Sequence, residues 1–286
     1  MGRAAGSRTS PTGLLGAWPE TLPDEERERV EAWLAGVLER AEPLVFSDVR
    51  KGVQSLSTLY VEDRARGALG ARASAGPARR AALASFYAVL HFATSWAAVR
   101  ALPTGALGVP ERIVDLGCGT GAAGAGVACA LARGAPRLIG IDRSGWALGE
   151  ARRTWAAFAL HGRARRGALP AALPRLGSGD LAVAGWMLNE LADPARDALL
   201  DALGRAARRG AQLLVLEPLA GRVSPWWDAA AARLAPEGVA SALAKGAFAR
   251  PDWVARMDRA AGLDHRSLGA RLLFGPVRRA EGRARA

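Results

Sequence analysis

Ile113-Val114-Asp115-Leu116-Gly117-Cys118-Gly119-Thr120-Gly121 decides the fold of this chain. Its first four residues read as a short buried strand, since a mostly apolar run bounded by turn signals suits a strand covered on both faces. The glycines that follow permit a tight turn in which backbone approaches a ligand with no Cβ in the way. Small residues from Ala122 to Ala130 then open a helix, whose unpaired first N–H groups and positive dipole end suit a carboxylate or phosphate.

Two ligand classes use such a turn. Gly119-Thr120-Gly121-Ala122-Ala123-Gly124 satisfies the G-x-G-x-x-G dinucleotide fingerprint. Asp142 ends a second apolar run, Arg137 to Ile141, at about the 20-residue interval expected of a ribose-binding carboxylate. Asp115 points elsewhere: a dinucleotide strand normally stays apolar up to its first glycine, whereas here a carboxylate stands ready to bind or water-bridge an ammonium group. A ligand with an ammonium, a carboxylate and a ribose diol fits these letters better than a pyrophosphate does. S-adenosylmethionine is such a ligand.

Val114-Asp-Leu-Gly-Cys-Gly-Thr-Gly121 followed by Leu138-Ile-Gly-Ile-Asp142 resembles motif I and the next acidic motif of class I S-adenosylmethionine-dependent methyltransferases. The resemblance implies an α/β, doubly wound, Rossmann-like and mostly parallel sheet, and an enzyme, while two cysteines that make no disulfide framework make a cytoplasmic setting the default. It implies that Asp142 binds the ribose hydroxyls and that Gly117, Gly119 and Gly121 pass beneath the methionine part. Asp115, Cys118, Thr120 and Asn189 belong to the same expected cofactor-binding set, with Arg143 and Ser144 beside the adenosine. Trp186-Met-Leu-Asn-Glu-Leu191 with Leu214-Val-Leu-Glu-Pro218 also resembles the small-subunit ribosomal methyltransferase-like proteins, although the cysteine-rich segment of that family has no counterpart here.

Length and composition fit one large domain with a helical extension: 286 residues, half of them hydrophobic, with a mean hydropathy of +0.05. No uninterrupted apolar run reaches the roughly 20 residues of a membrane span, so no membrane partner is expected. Residues 1–20 lack the apolar core of a secretory signal. Cys118 and Cys129 make neither a disulfide framework nor a metal set, which favours a reducing compartment. The net charge of +12 invites a nucleic-acid reading. Yet lysine occurs only at Lys51 and Lys245, and an excess of arginine and alanine is also what GC-rich coding produces whatever the function.

The chain divides into a disordered tail at 1–20, a helical region at 21–105, a cofactor-binding domain at 106–276 and a basic tail at 277–286. Helices are expected at 21–40, where Val30, Trp33, Leu34, Val37 and Leu38 share one face, and at 78–102, apolar on nearly every side and therefore buried. Short helices and turns are expected over 44–70. Strands are expected at 113–116, 137–141, 180–186, 212–216 and 271–274, and helices at 122–133, 145–160, 194–208, 226–234 and 251–261. Asp193 is expected to cap the helix that Pro194 opens. No strand is evident in the arginine- and proline-rich 163–176.

Asn189 and Glu190, after the fourth strand, and His91, inside the long helix, are the candidate catalytic residues. Methyl transfer to a good nucleophile needs in-line positioning, with a base only for an acceptor protonated at neutral pH. No Asn/Asp-Pro-Pro-Tyr loop follows the fourth strand, and no cysteine is placed to attack a pyrimidine. The acceptor is left open between rRNA or a ribosomal particle and a small molecule. Tyr87, His91 and Trp96 are candidate wall residues, with Trp226 and Trp227 able to stack on a planar group. A non-catalytic cofactor-binding assembly factor and an NAD(P)-dependent oxidoreductase are the other readings, and the oligomeric state is open.

Overall fold

A computed structural model describes residues 15–41, 43–62, 72–131, 134 and 136–276. Seven strands form one sheet in the order β3-β2-β1-β4-β5-β7-β6. These are β1 (Arg112–Leu116), β2 (Arg137–Asp142), β3 (Gly162–Arg166), β4 (Asp180–Gly185), β5 (Gln212–Glu217), β6 (Ala240–Ala247) and β7 (Ser267–Gly275). The first five are parallel, and β7 runs antiparallel to both β5 and β6. The sheet is therefore doubly wound and mostly parallel. Its order reverses between β1 and β4, which opens a crevice at their carboxyl ends, where open α/β sheets bind ligands.

The third strand, Gly162–Arg166, begins one residue ahead of the stretch where none was evident and runs four residues into it. It is an edge strand, and only Ala164 of its five residues is buried. Arginines at 163, 165 and 166 therefore face solvent, where charge also blocks edge-to-edge pairing. The Arg166 Nε donates to the Arg143 carbonyl at 3.0 Å, tying this edge to the end of β2. The strand β6 had no sequence signal because it is built of alanine, serine and glycine around one leucine and one lysine.

Helix α1 (Asp24–Ala41) buries Val30, Trp33, Leu34 and Val37, while Leu38 is only partly covered. Helix α2 (Phe46–Glu62) is one continuous helix within the stretch expected to hold short helices and turns, of which 63–70 lies outside the described residues. Helix α3 runs Pro77–Ala101 and contains a π-turn over Leu83–Tyr87, where the Ala88 N–H reaches back to the Leu83 carbonyl. Ser85 Oγ donates to the Ala81 carbonyl at 2.7 Å beside this turn, a side-chain bond that competes with the regular ladder. By length and composition α3 is apolar enough to cross a membrane, but 83% of its most apolar window is buried inside the fold. It is a core helix, packed against α4 (Ala122–Leu131) so closely that a Cβ on Gly126 would collide with the Phe92 carbonyl oxygen.

One hydrophobic cluster joins α1–α3 to the sheet domain. Phe92 stacks on Phe158 at 4.5 Å, and Trp33 meets Phe158 edge-on at 5.5 Å, so α1, α3 and the end of α5 (Gly145–Ala157) share one aromatic knot. Residues 15–20, within the stretch expected to be disordered, lie against the sheet. Trp18 packs on Gly246, and the Glu20 carbonyl accepts from the Ala249 N–H at 2.7 Å. The remaining helices are α6 (Asp193–Arg208), α7 (Trp227–Leu234) and α8 (Asp252–Ala261). Asp193 does not cap α6. Ala192 is the N-cap, and the Asp193 carboxylate pairs instead with Arg196 one turn on. Residues 1–14 and the tail 277–286, with Arg278, Arg279, Arg283 and Arg285, lie outside the described residues.

Candidate active site

The carboxyl ends of β1, β2, β4 and β5 open on a cavity of about 1160 Å³. That exceeds the roughly 300–1,000 Å³ of ordinary small-molecule pockets. Its floor is the glycine turn. Gly117, Gly119 and Gly121 all hold left-handed backbone, with φ of 62°, 51° and 74°. Added Cβ atoms would lie 2.7 Å from Met187 at Gly117 and 2.7 Å from the Trp155 ring at Gly121, so side chains are excluded there as well as strained. Trp155, buried on α5, donates its indole N–H to the Gly121 carbonyl at 3.0 Å and braces the turn from below. Nothing in the letters around it singled out Trp155.

Asp142 stands at the cavity wall and binds the same turn. One oxygen accepts the Gly119 N–H at 2.9 Å and the other the Ser144 N–H at 2.7 Å. A carboxylate has about four acceptor sites, so capacity remains for two ribose hydroxyls. Gly117, Cys118, Gly119, Thr120, Arg143 and Asn189 line the cavity too. Gly121 does not reach it, and Asp115 sits behind the turn at 1% exposure. The Asp115 Oδ2 accepts the Gly124 N–H at 3.1 Å, which pins the first turn of α4 to β1. Burial, with the nearby Asp142 adding to it, pushes the Asp115 carboxyl up to about 7. Burial likewise holds the Cys118 thiol well above its usual range, which suits a packing residue and not a nucleophile.

Glu217, wholly buried at the end of β5, organises the loop after β4. Its two oxygens accept from the Leu188 N–H at 3.0 Å and from Asn189 Nδ2 at 2.6 Å. The Asn189 amide also meets Ser224 at 3.0 Å, and its oxygen accepts from Trp226 Nε1 at 2.8 Å. Trp226 and Trp227 are thus structural: neither lines the cavity, and Trp227 is 2% exposed. Trp96, at 4%, is also core. Glu190 lines the cavity beside Asn189.

The opposite wall comes from α2 and α3 and from the segment joining α8 to β7. His91 lies face to face with Trp186, ring centroids 4.0 Å apart and planes 8° from parallel. Trp186 is left-handed with φ 57°, a backbone cost of order 1–3 kcal/mol for a bulky residue, which this stacking helps to meet. Burial, reinforced by the nearby His265, lowers the His91 pKa to about 4, so its imidazole is neutral at physiological pH. His265 itself faces the cavity, with Nδ1 2.6 Å from Asp258 Oδ1. This histidine–carboxylate pair was not legible in the sequence, because its members are brought together by the end of α8. Gly262 takes the left-handed C-terminal position, Leu263 N–H returns to the Asp258 carbonyl, and the chain doubles back on Asp258.

The residues present fit S-adenosylmethionine: a cradle that admits no Cβ, a carboxylate at the second strand's end, and room beyond the turn for a second molecule. Residues 113–210 match the family model of a methyltransferase domain. No curated protein matches the sequence. Similar solved structures include precorrin-6y C5,15-methyltransferase from Geobacter metallireducens, 15% identical over 63% of this chain and 84% of that chain with a TM-score of 0.40. A SAM-dependent methyltransferase from Aquifex aeolicus is 15% identical over 58% and 84%, with a TM-score of 0.38. Precorrin 8w decarboxylase from Methanobacterium thermoautotrophicum is 20% identical over 59% and 83%, with a TM-score of 0.39. Glycine turn, acidic second strand and family match agree on one reading: residues 113–210 carry a methyltransferase domain, and S-adenosylmethionine is the cofactor that its site fits.

Proposed function

We propose that this enzyme methylates a small molecule held between its glycine turn and its helical wall. The observation that carries the reading is the cavity itself. It is continuous from Gly117 and Asp142 on the cofactor side to Tyr60, Tyr87, His91 and His265 on the other. In this reading residues 106–276 hold the cofactor and residues 21–105 supply most of the acceptor wall. Asp142 holds the ribose, Gly117, Cys118, Gly119 and Thr120 receive the methionine part, and Arg143 and Ser144 flank the adenosine. Asp115 and Gly121 act from behind, by fixing the turn. When bound, the cofactor supplies a methyl group already activated on a sulfonium. The chain's own work is to align the acceptor with that group and to exclude water.

An rRNA or ribosomal acceptor has less support. Part of the arginine charge is paired within the fold, as in Arg112 with Asp180, Arg208 with Glu237 and Arg233 with Asp197. The two free cysteines go with a cytoplasmic setting. A labelled-methyl screen of the purified enzyme tests the reading, with low-mass extract in one arm and ribosomal RNA or particles in the other. Label in the low-mass fraction alone is the expected result. Label in RNA or ribosomal protein alone would overturn it.

A further inference from the structure

Resting on the cavity reading above, we infer that His265, oriented by Asp258, is the general base for a planar hydroxylated acceptor. Three observations converge. His265 lines the acceptor end of the cavity. Asp258, at 1% exposure, grips it twice, through the ring Nδ1 at 2.6 Å and the backbone N–H at 2.7 Å. Arg250 pairs with the same carboxylate, which fixes Asp258 in place. With Nδ1 donating to Asp258, Nε2 is the ring atom left to accept a proton, and it has no other partner among the described residues. Phe86 packs edge-on against the imidazole at 5.7 Å, holding the ring plane.

The same wall selects the acceptor. His91 and Trp186 present a parallel pair of rings, and Tyr87 lies 6.4 Å from His91. The two rings cover each other's inner faces, and an aromatic acceptor would pack against the outer side of the stack, where both residues line the cavity. A phenolic hydroxyl, with a pKa of about 10, is protonated at neutral pH and needs a base, whereas a thiol of pKa about 8.5 needs less help. In the step, the hydroxyl proton moves to His265 Nε2 as the oxygen lone pair forms the bond to the methyl carbon. The carbon–sulfur bond breaks with its electron pair going to sulfur, which ends neutral. Asp258 balances the imidazolium until water takes the proton.

The test uses one flat frame with three nucleophiles: 2-naphthol, 2-naphthylamine and 2-naphthalenethiol, each with labelled cofactor and the full-length enzyme. His265→Gln should cut transfer to 2-naphthol by about 10²–10⁴-fold. It should leave S-adenosylhomocysteine affinity unchanged by calorimetry and change thiol transfer by no more than a few-fold. Asp258→Asn should lower naphthol transfer less. Independently of turnover, ¹⁵N NMR of the unliganded enzyme should show His265 carrying its proton on Nδ1 and a bare Nε2. Undiminished naphthol transfer in His265→Gln, equal loss for the thiol, the opposite tautomer, or wild-type enzyme that binds cofactor yet methylates no hydroxyl would each overturn the inference alone. Failure to bind S-adenosylhomocysteine at all would overturn the cavity reading beneath it.

Discussion

Two carboxylates in this site do different work because they are buried differently. Asp142 accepts two backbone N–H bonds at the cavity wall, and charge-assisted bonds of this kind are worth about 1.5–3 kcal/mol each. Asp142→Ala should therefore weaken S-adenosylhomocysteine binding by at least about 10- to 100-fold, measured by calorimetry. Asp115 is buried without a cation and has its pKa pushed up to about 7 from 3.8. The folded state then holds its proton more tightly than the unfolded chain, so Asp115 costs stability as pH rises from about 4 through 7. Asp115→Asn keeps an acceptor for the Gly124 N–H, and it should raise the unfolding free energy at pH 8 by a few kcal/mol while changing little at pH 4. A loss of stability at pH 8 would contradict this. His91 works with the opposite sign. Its pKa is depressed from 6.5 to about 4, so the folded state binds fewer protons, and stability falls as pH drops from 6.5 toward 4. His91→Gln should abolish that acid sensitivity, worth on the order of 3 kcal/mol, in denaturant melts at pH 7 and pH 4.

Elements carry these residues into place, and the closest fit is the crossing of α3 on α4. Gly→Ala in a helix gains up to about 1 kcal/mol of propensity, but at Gly126 the new methyl meets the Phe92 backbone oxygen. Backbone cannot swing aside, so overpacking at about 1–3 kcal/mol wins. Gly126→Ala should lower the Tm and, because Phe92 adjoins His91, raise the KM for the acceptor more than for the cofactor. At this scale the sequence was uneven. The strands β1, β2, β4 and β5 were legible because they are covered on both faces and read as apolar runs. The edge strand β3 was hidden by its arginines and β6 by its small residues. The glycine turn was legible because left-handed backbone packed against Met187 and Trp155 leaves glycine no substitute, and Asp142 because a carboxylate ends an apolar strand. His265 and Asp258 were not, since a helix-ending turn makes their pairing and no local spacing announces it. Trp155 was silent for a similar reason: its role is one hydrogen bond to a turn 34 residues away.

Over the whole molecule, the helical wall and the sheet domain share a single hydrophobic cluster. Trp33, Phe92 and Phe158 bind three helices from both parts, and Trp33→Ala should cost about 3–5 kcal/mol. Calorimetric unfolding should then show one cooperative transition for both parts, with van't Hoff and calorimetric enthalpies equal. Two separated transitions would mean that the wall folds on its own. The central claim is that the glycine turn and Asp142 bind S-adenosylmethionine. Isothermal calorimetry of the intact enzyme with S-adenosylmethionine, S-adenosylhomocysteine and NADH tests it most directly. Saturable binding of the first two, lost in Asp142→Ala, is the predicted result. Saturable NADH binding with no heat from either sulfur ligand would contradict it.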